Sequence, residues 1–400
     1  MRISTAQMFN QTSSSVLKHQ SNTNDILGQI SSGKKVSTAG DAPVAAIAID
    51  NLKQQSTQAE QYISNIDMAT GRLSVTESTL GSIENVVQSM RDKMLQGVNG
   101  SLSDLDRQAL TDELRVSLDQ LVNLANTKDS AGNSIFSGFN TDVTPFAFDS
   151  MGNINYSGDV GVRETFIAPN RTLATNITGD SVFMNVPNAM GDYSATYDAA
   201  QQGSFSVKSA QISDSATHIS GQYQYEFIDN GSGGLDLDVT DSFGTVTRMS
   251  QVDTTQPITL NGLTVQLEGT PVAGDTVTLN PNTNANLFDS LSDMITLLET
   301  GEGVNSPSGQ AEFTQLLNNI DSGQGLLALG RSQAGNDLNA LDKAKDVHID
   351  TQLINTSALS LLEDVDIASA ITEYEKQQLS LNAVSQLFGE VNSVSLFDYL

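Results

Sequence analysis

One stretch constrains this chain more than any other. Ala48, Leu52, Gln55, Ala59, Tyr62, Ile66, Ala69, Leu73, Thr76, Leu80, Ile83, Val87, Met90 and Met94 are spaced 4, 3, 4, 3 throughout, and only Gln55 and Thr76 are not apolar. An apolar a/d stripe held over about six heptads is a helix that buries one narrow face against another helix. The stretch holds no Pro, and its only glycines are Gly71 and Gly81. At the α-helical rise it is roughly 70 Å long, more than a small domain is wide. It therefore requires a partner of similar length.

The partner lies near the other end of the chain. Ala340, Ala344, Val347, Thr351, Ile354, Ala358, Leu361, Val365 and Ala368 repeat the spacing, with only Thr351 polar. A second seam, Ile367, Ala370, Tyr374, Gln377, Leu381, Val384, Phe388 and Val391, is out of phase with the first. The phase changes between about Val365 and Ile371, which predicts a bend, a stutter or a joint between two helices. Each seam is open to two readings, the core of an intramolecular bundle or a surface for a partner. The last 40 or so residues favour the second, because only a weak seam at the start of the chain is left to meet them.

That weak seam is Phe9, Thr12, Val16, His19, Thr23, Ile26 and Ile30. Three of its seven positions are polar, so an isolated helix there is marginal in water. Gly33, Gly40 and Pro43 then break the helix, and Pro43 suits the first turn of the next one. After the long helix, the glycines of 97–101 stop the chain, and Ser103 or Asp104 caps a shorter helix with seam Leu110, Leu114, Ser117, Leu121 and Leu124.

From Phe139 to about Asn286 the period changes from 3.5 to 2. Tyr223, Tyr225 and Phe227 alternate with polar residues, 230–234 turns the chain, and Leu235, Leu237 and Val239 alternate again. Asn261-Gly262 between Leu260 and Leu263 is a two-residue hairpin signal, because it tolerates the positive φ of a type I′ turn. Val277 and Leu279 offer another strand. This is a β-rich insert of antiparallel hairpins. Helical pattern resumes near Phe288 and again from Glu312, with Gly323, Gly325, Gly330 and Gly335 placed to let another backbone approach closely.

Charge excludes some functions. The chain carries 47 acidic and 19 basic side chains, a formal net charge of −28. Nucleic-acid affinity comes from cations that neutralise phosphates, and an anionic membrane surface asks for the same. Residues 139–300 hold 19 acidic and 4 basic groups and the other 238 residues hold 28 and 15, so the insert is the more acidic part and suits a well-solvated outer lobe. Cysteine is absent, which rules out disulfides and thiolate metal sites and suits passage into an oxidising space. The first residues contain no apolar h-region. The plain expectation is a cytoplasmic protein; the sharper one is export by a route that reads no cleavable signal.

Candidate chemistry is thin. His19, His218 and His348 share no metal-ligand spacing and read as exposed or helix-face side chains. Asp236, Asp238 and Asp241 resemble a calcium loop but lack its Gly and distal Glu, so they read as the wet face of a strand. Gly323-Gln324-Gly325 follows no strand and precedes no Lys-Ser/Thr, so helix packing accounts for it better than phosphate binding. No catalytic residue, cofactor or metal is assigned.

The sequence between Ile30 and Ile49 carries a family resemblance. Ile30-Ser31-Ser32-Gly33-Lys34-Lys35-Val36, with Ala39, Asp41-Ala42-Pro43 and Ala48-Ile49, resembles the flagellin signature. Glu363-Asp364-Val365-Asp366-Ile367-Ala368 is similar to the family's acidic joint before its last helix. The opening Met1-Arg2-Ile3-Ser4, the stretches 132–138 and 154–159, and the ending Ser395-Leu396-Phe397-Asp398-Tyr399-Leu400 resemble the branch of the superfamily that forms the hook–filament junction; Ser134 stands where that branch commonly has Tyr. The resemblance covers roughly 1–165 and 305–400.

The resemblance implies a multidomain α + β protein, with a long antiparallel coiled-coil-like helical rod built from both chain ends and a β-rich inserted outer domain. Its parts would be a terminal inner core (1–42 with 363–400), the rod (43–138 with 301–362) and the variable outer domain (139–300). It implies a structural, non-enzymatic adapter joining hook to filament, secreted by type III export and located on the extracellular flagellum. The expected partners are its own copies in a ring or helical layer, an adjacent hook-associated protein on the hook side, flagellin on the filament side, and an export chaperone binding the C-terminal helix. The expected assembly interface is Phe9, Val16, Ile26 and Ile30 with Ile367, Tyr374, Leu381, Val384, Phe388 and Val391. The alternatives are flagellin itself, the bulk filament subunit, and a carbohydrate-active insert on a flagellar scaffold.

Overall fold

The structure is a computed structural model that describes residues 2–98, 102–150, 152–300 and 302–393. Its helices are α1 (Arg2–Ser32), α2 (Pro43–Gly97), α3 (Asp104–Ala125), α4 (Leu287–Glu299), the one-turn α5 (Glu302–Asn305), α6 (Pro307–Glu363) and α7 (Ile367–Ser393). All strands of the described residues lie between Phe146 and Ala285. The chain is thus helical at both ends and β-rich in the middle. It divides into two compact units, 65–342 and 1–64 with 343–400.

In unit 65–342, every position of the long seam from Ile66 to Met94 is buried, Thr76 included. The Thr76 hydroxyl donates to the Arg72 carbonyl one turn back, so it enters the seam without an orphaned group. Leu80, Ile83, Val87, Met90 and Met94 share one core with Leu114, Leu118 and Leu121 of α3, with Leu291 and Ile295 of α4, and with Leu316, Ile320 and Leu327 of α6. Arg91 forks onto Asp321, and Arg331 bridges Glu77 and Glu84 at 2.7 and 3.0 Å, which ties the wet flanks of the pair together. Ser103 is the cap of α3, its Oγ accepting from the Asp106 N–H.

Helix α6 runs unbroken through its glycines. A Cβ at Gly323 would meet a Leu287 methyl at 2.7 Å, and one at Gly330 a Val182 methyl at 2.9 Å. The close neighbours there are side chains, not the second backbone expected from sequence. Gly325 and Gly335 face open space.

The middle of the same unit holds eight strands that share a second core: β1 (Tyr193–Tyr197), β2 (Ser204–Ile212), β3 (Tyr223–Asp229), β4 (Leu235–Thr240), β5 (Val246–Met249), β6 (Ile258–Leu260), β7 (Leu263–Thr270) and β8 (Thr276–Pro281). One sheet is ordered β5-β4-β3-β8-β1 and the other β6-β7-β2, and every pairing is antiparallel. Tyr223, Tyr225 and Phe227 point inward at alternate positions, as their period predicts. Asn261 and Gly262 have φ of 50° and 72°, the two positive values that a type I′ turn demands, and Leu260 pairs with Leu263 across it. The Asp residues that mimic a calcium loop are engaged otherwise: Asp238 binds the Arg248 guanidinium at both oxygens, while Asp236 and Asp241 accept backbone N–H groups.

Candidate assembly surface and its joint

The second unit is built from four helical segments. Helices α1 and α7 pack on each other, so the two weak seams meet within one chain. Val16, Ile26 and Ile30 of α1 and Tyr374, Leu381 and Val384 of α7 are half-buried, and none is fully covered. Among the described side chains of α7, Ala370 is the one that is buried. Phe9 is 41% exposed and Ile367 54% exposed. Ile367 is the first helical residue, and Asp366 ahead of it caps α7 by accepting from the Ala368 and Ser369 N–H groups. The side chains of Phe388 and Val391, and the ending 395–400, lie outside the described residues.

Gln377, the polar position of the α7 seam, has a partner that its sequence does not announce. Its Oε1 lies 2.9 Å from His19 Nδ1 on α1, so the two polar positions of the facing seams meet. Among the described residues no group of acidic or histidine side chains is placed to hold a metal. His218 contacts the Tyr193 hydroxyl at 3.0 Å, and His348 is buried with its ring stacked on Tyr62 at 5.1 Å. His19 and His348 therefore lie on helix faces, as expected, whereas His218 sits half-buried in a loop against Tyr193, neither exposed nor on a helix.

The signature residues form the joint between these helices. Gly33 ends α1 at φ +71°, a conformation that costs an L side chain steric strain. This turns Lys34 and Lys35 alongside the end of α6. The Lys35 N–H donates to the Glu363 carbonyl at 2.6 Å and the Val365 N–H to the Gly33 carbonyl at 3.0 Å, a two-rung antiparallel ladder. Glu363 is buried, and its carboxylate receives the ammoniums of Lys34 at 2.5 Å and Lys53 at 3.1 Å. The hydrogen bond from Lys34 holds the Glu363 carboxyl below the usual carboxylate range, against the opposing effect of burial. On the other side of Val36, Asp41 Oδ2 accepts from the Ser37 and Thr38 N–H groups and the Ser37 hydroxyl, and these bonds lower its pKa. The loop so closed delivers Pro43 to the first turn of α2. The residues of this stretch thus form a mechanical part: a glycine that reverses the chain, a buried acid between two lysines, and an Asx-type turn.

Residues 3–141 match the family model described as the bacterial flagellin N-terminal helical region. Flagellar hook-associated protein 3 of Escherichia coli (strain K12) is 26% identical over 397 residues, 99% of each chain, and that of Salmonella typhimurium is 26% identical over the same length. The crystal structure of flagellar hook-associated protein 3 from Legionella pneumophila superposes with a TM-score of 0.68 at 29% identity, covering 78% of this chain and 98% of that one.

Proposed function

The chain belongs to the flagellar hook-associated protein 3 family of the flagellin superfamily, and from that premise we propose that its paired terminal helices are the surface through which it assembles. It is a structural component of the bacterial flagellum, an adapter that joins hook to filament. The observation that carries the proposed surface is the incomplete cover of α1 and α7. Their facing seams leave Val16, Ile26, Tyr374, Leu381 and Val384 only half-buried, and Phe9 and Ile367 exposed. Burying a Leu or Phe side chain is worth roughly 1.5–3 kcal/mol, a gain that a ring of copies repeats at every interface.

In this reading 1–42 with 363–400 form the inner core of the assembly, 43–138 with 301–362 the rod, and 139–300 the outer domain. The partners are further copies in a ring or helical layer, a hook-associated protein on the hook side and flagellin on the filament side. A chaperone holds α7 before export, because α7 lacks its α1 partner in an unfolded chain. The protein acts at the hook–filament junction by assembly alone, without catalysis. Flagellin, the bulk subunit, is the rival role, and copy number in purified flagella separates the two: a junction protein is scarce.

Leu381→Lys tests the surface. A charge placed in a seam that becomes desolvated on assembly costs several kcal/mol. The variant is expected to be exported and to melt like the parent in unit 65–342, while the protein and filament subunits are shed into the medium. Gln378→Lys, one turn-face away at an exposed position, is the control and is expected to assemble. Normal swimming of the Leu381→Lys strain overturns the proposal.

A further inference from the structure

The seam of α6 in unit 1–64 with 343–400 faces the wrong way for its composition. Ala344, Thr351 and Ala358 sit in the seam, as the 4, 3 spacing predicts. The alternate positions are shifted by one residue from that prediction: His348 and Asn355 are buried, whereas Val347, Ile354 and Leu361 are 62%, 68% and 81% exposed. Asn355 Nδ2 is buried without a hydrogen-bond partner, and so is Ser56 Oγ on α2. The Tyr62–His348 stack fixes the level of the two antiparallel helices, and Ser56 six residues back from Tyr62 and Asn355 seven on from His348 fall within about one residue of the same level. This section therefore buries an under-satisfied polar layer and presents its large aliphatic side chains to solvent, both of which disfavour the observed packing.

We propose that this section of α6 is a two-state element that rolls about its axis, exchanging His348 and Asn355 in the seam for Val347 and Ile354. Successive residues are about 100° apart around a helix, so replacing one flank of the seam while keeping Ala344, Thr351 and Ala358 needs a roll of about 50°. The retained residues are small and offer no large knob to lock either state. In the rolled state the Asn355 amide reaches water and finds its partners there, while two aliphatic side chains leave it. The Lys35–Glu363 ladder holds the end of the helix, so the roll is taken up as over- and under-winding of the turns on either side, as at a stutter. Ala344 and Ala358 are the pivots, and the populations of the two states are set by the balance between the Asn355 layer and the aliphatic flank.

The chain has no cysteine, so a single introduced thiol reports its own burial. We would label Ile354→Cys and Leu353→Cys in the full chain with a neutral thiol reagent, each rate divided by that of the same variant unfolded in urea. Leu353 is exposed and on the flank of neither seam. Ile354→Cys is expected to react at least twofold more slowly than Leu353→Cys, independently of protein concentration. Adding Asn355→Leu, which makes the observed seam apolar, is expected to bring Ile354→Cys up to the Leu353→Cys rate. Equal rates in the parent background overturn the roll. Protection that survives Asn355→Leu also overturns it, and protection that grows with protein concentration assigns the aliphatic stripe to a second copy of the chain instead.

Discussion

The same two helices build two seams of different quality. Over 66–94, α2 buries apolar residues and the two threonines Thr76 and Thr79, and α6 answers with Leu316, Ile320, Leu327 and Ala334. Over 49–62, α2 offers Ile49, Leu52, Ser56, Ala59 and Tyr62, and α6 answers with Ala344, His348 and Asn355. The heptad phase of α6 is the same in both: 320, 327, 334, 341, 348, 355 and 362 are every seventh residue. What changes is the chemistry placed on that phase. The comparison teaches that one continuous helix can be a stable core element over half its length and a marginal one over the rest, because most helix stability comes from the packed face and not from propensity.

Three measurements would sharpen or break that contrast, and a fourth tests its electrostatic side. The largest effect is expected in the apolar seam. Leu80→Ala should cost about 2–5 kcal/mol in urea unfolding of unit 65–342, the range for a fully buried leucine. Leu52→Ala, half-buried in the other seam, should cost about 1 kcal/mol, scaling the burial value by its partial cover. Equal costs would erase the distinction between the seams. Next in size, Asn355→Leu should stabilise the terminal unit by about 1–3 kcal/mol, since it removes an orphaned buried donor, and hydrogen exchange on α6 beyond 343 should slow accordingly. Thr76→Val should be close to neutral, because the Thr76 hydroxyl is already satisfied.

A smaller change is expected at the joint. Glu363→Gln loses both lysine pairs, but the lysine side chains are about half exposed, so the cost should be about 1 kcal/mol or less. Its signature is local, with faster exchange at the Lys35 and Val365 amides and none at β3 or β8. Acid should weaken the joint, and it should act in both directions within unit 65–342, where Asp129, Asp159, Asp214, Asp238 and Asp253 also have lowered pKa values. Glu363 has a lowered pKa, so its contribution is complete above the ordinary carboxylate range and lost as pH falls through its own lower value. Asp289, Asp293 and Glu312 line one polar cleft of unit 65–342 and have pKa values raised by burial, with Asp293 further raised by the other two. Their charged forms therefore cost stability at neutral pH, and that cost is relieved as pH falls toward and through the carboxylate range. Melts of an Asp289→Asn, Asp293→Asn, Glu312→Gln variant and its parent should be furthest apart at pH 7, the variant melting higher, and should converge toward pH 3. A separation that does not close with acid contradicts the assignment.

Much of this was readable from the residues. The long seam, the hairpin at Asn261-Gly262, the alternation of Tyr223 to Phe227 and the break between α6 and α7 all rest on local periods and turn chemistry, and local signals survive in sequence. The phase of α6 beyond 340 did not. Val347, Ile354 and Leu361 are more apolar than His348 and Asn355, so a hydrophobic stripe points to the wrong flank; the phase is carried down the helix from Ile320, Leu327 and Ala334, a non-local cause. The order of the sheet, with β8 between β3 and β1, is likewise a long-range pairing that no window contains. Of the assembly seam, the apolar positions on α1 and α7 were legible, but the His19–Gln377 contact was not, since nothing in a polar interruption names its partner.

The ladder at Gly33 and Glu363 also sets an order in time. The Lys34 and Glu363 side chains it brings together are 329 residues apart in the chain. Contacts between such distant residues form slowly when the loop between them is unstructured, because closure entropy precedes any gain. Pairing of α2 with α6 shortens that loop to the few residues of the joint itself. The terminal ladder is therefore a late contact, closed only after the helices behind it have met, and α1 has no mate until the last stretch of chain arrives. A chain that emerges end-first, as every chain does from the ribosome, remains kinetically unfinished at its terminal helices until its whole length is free.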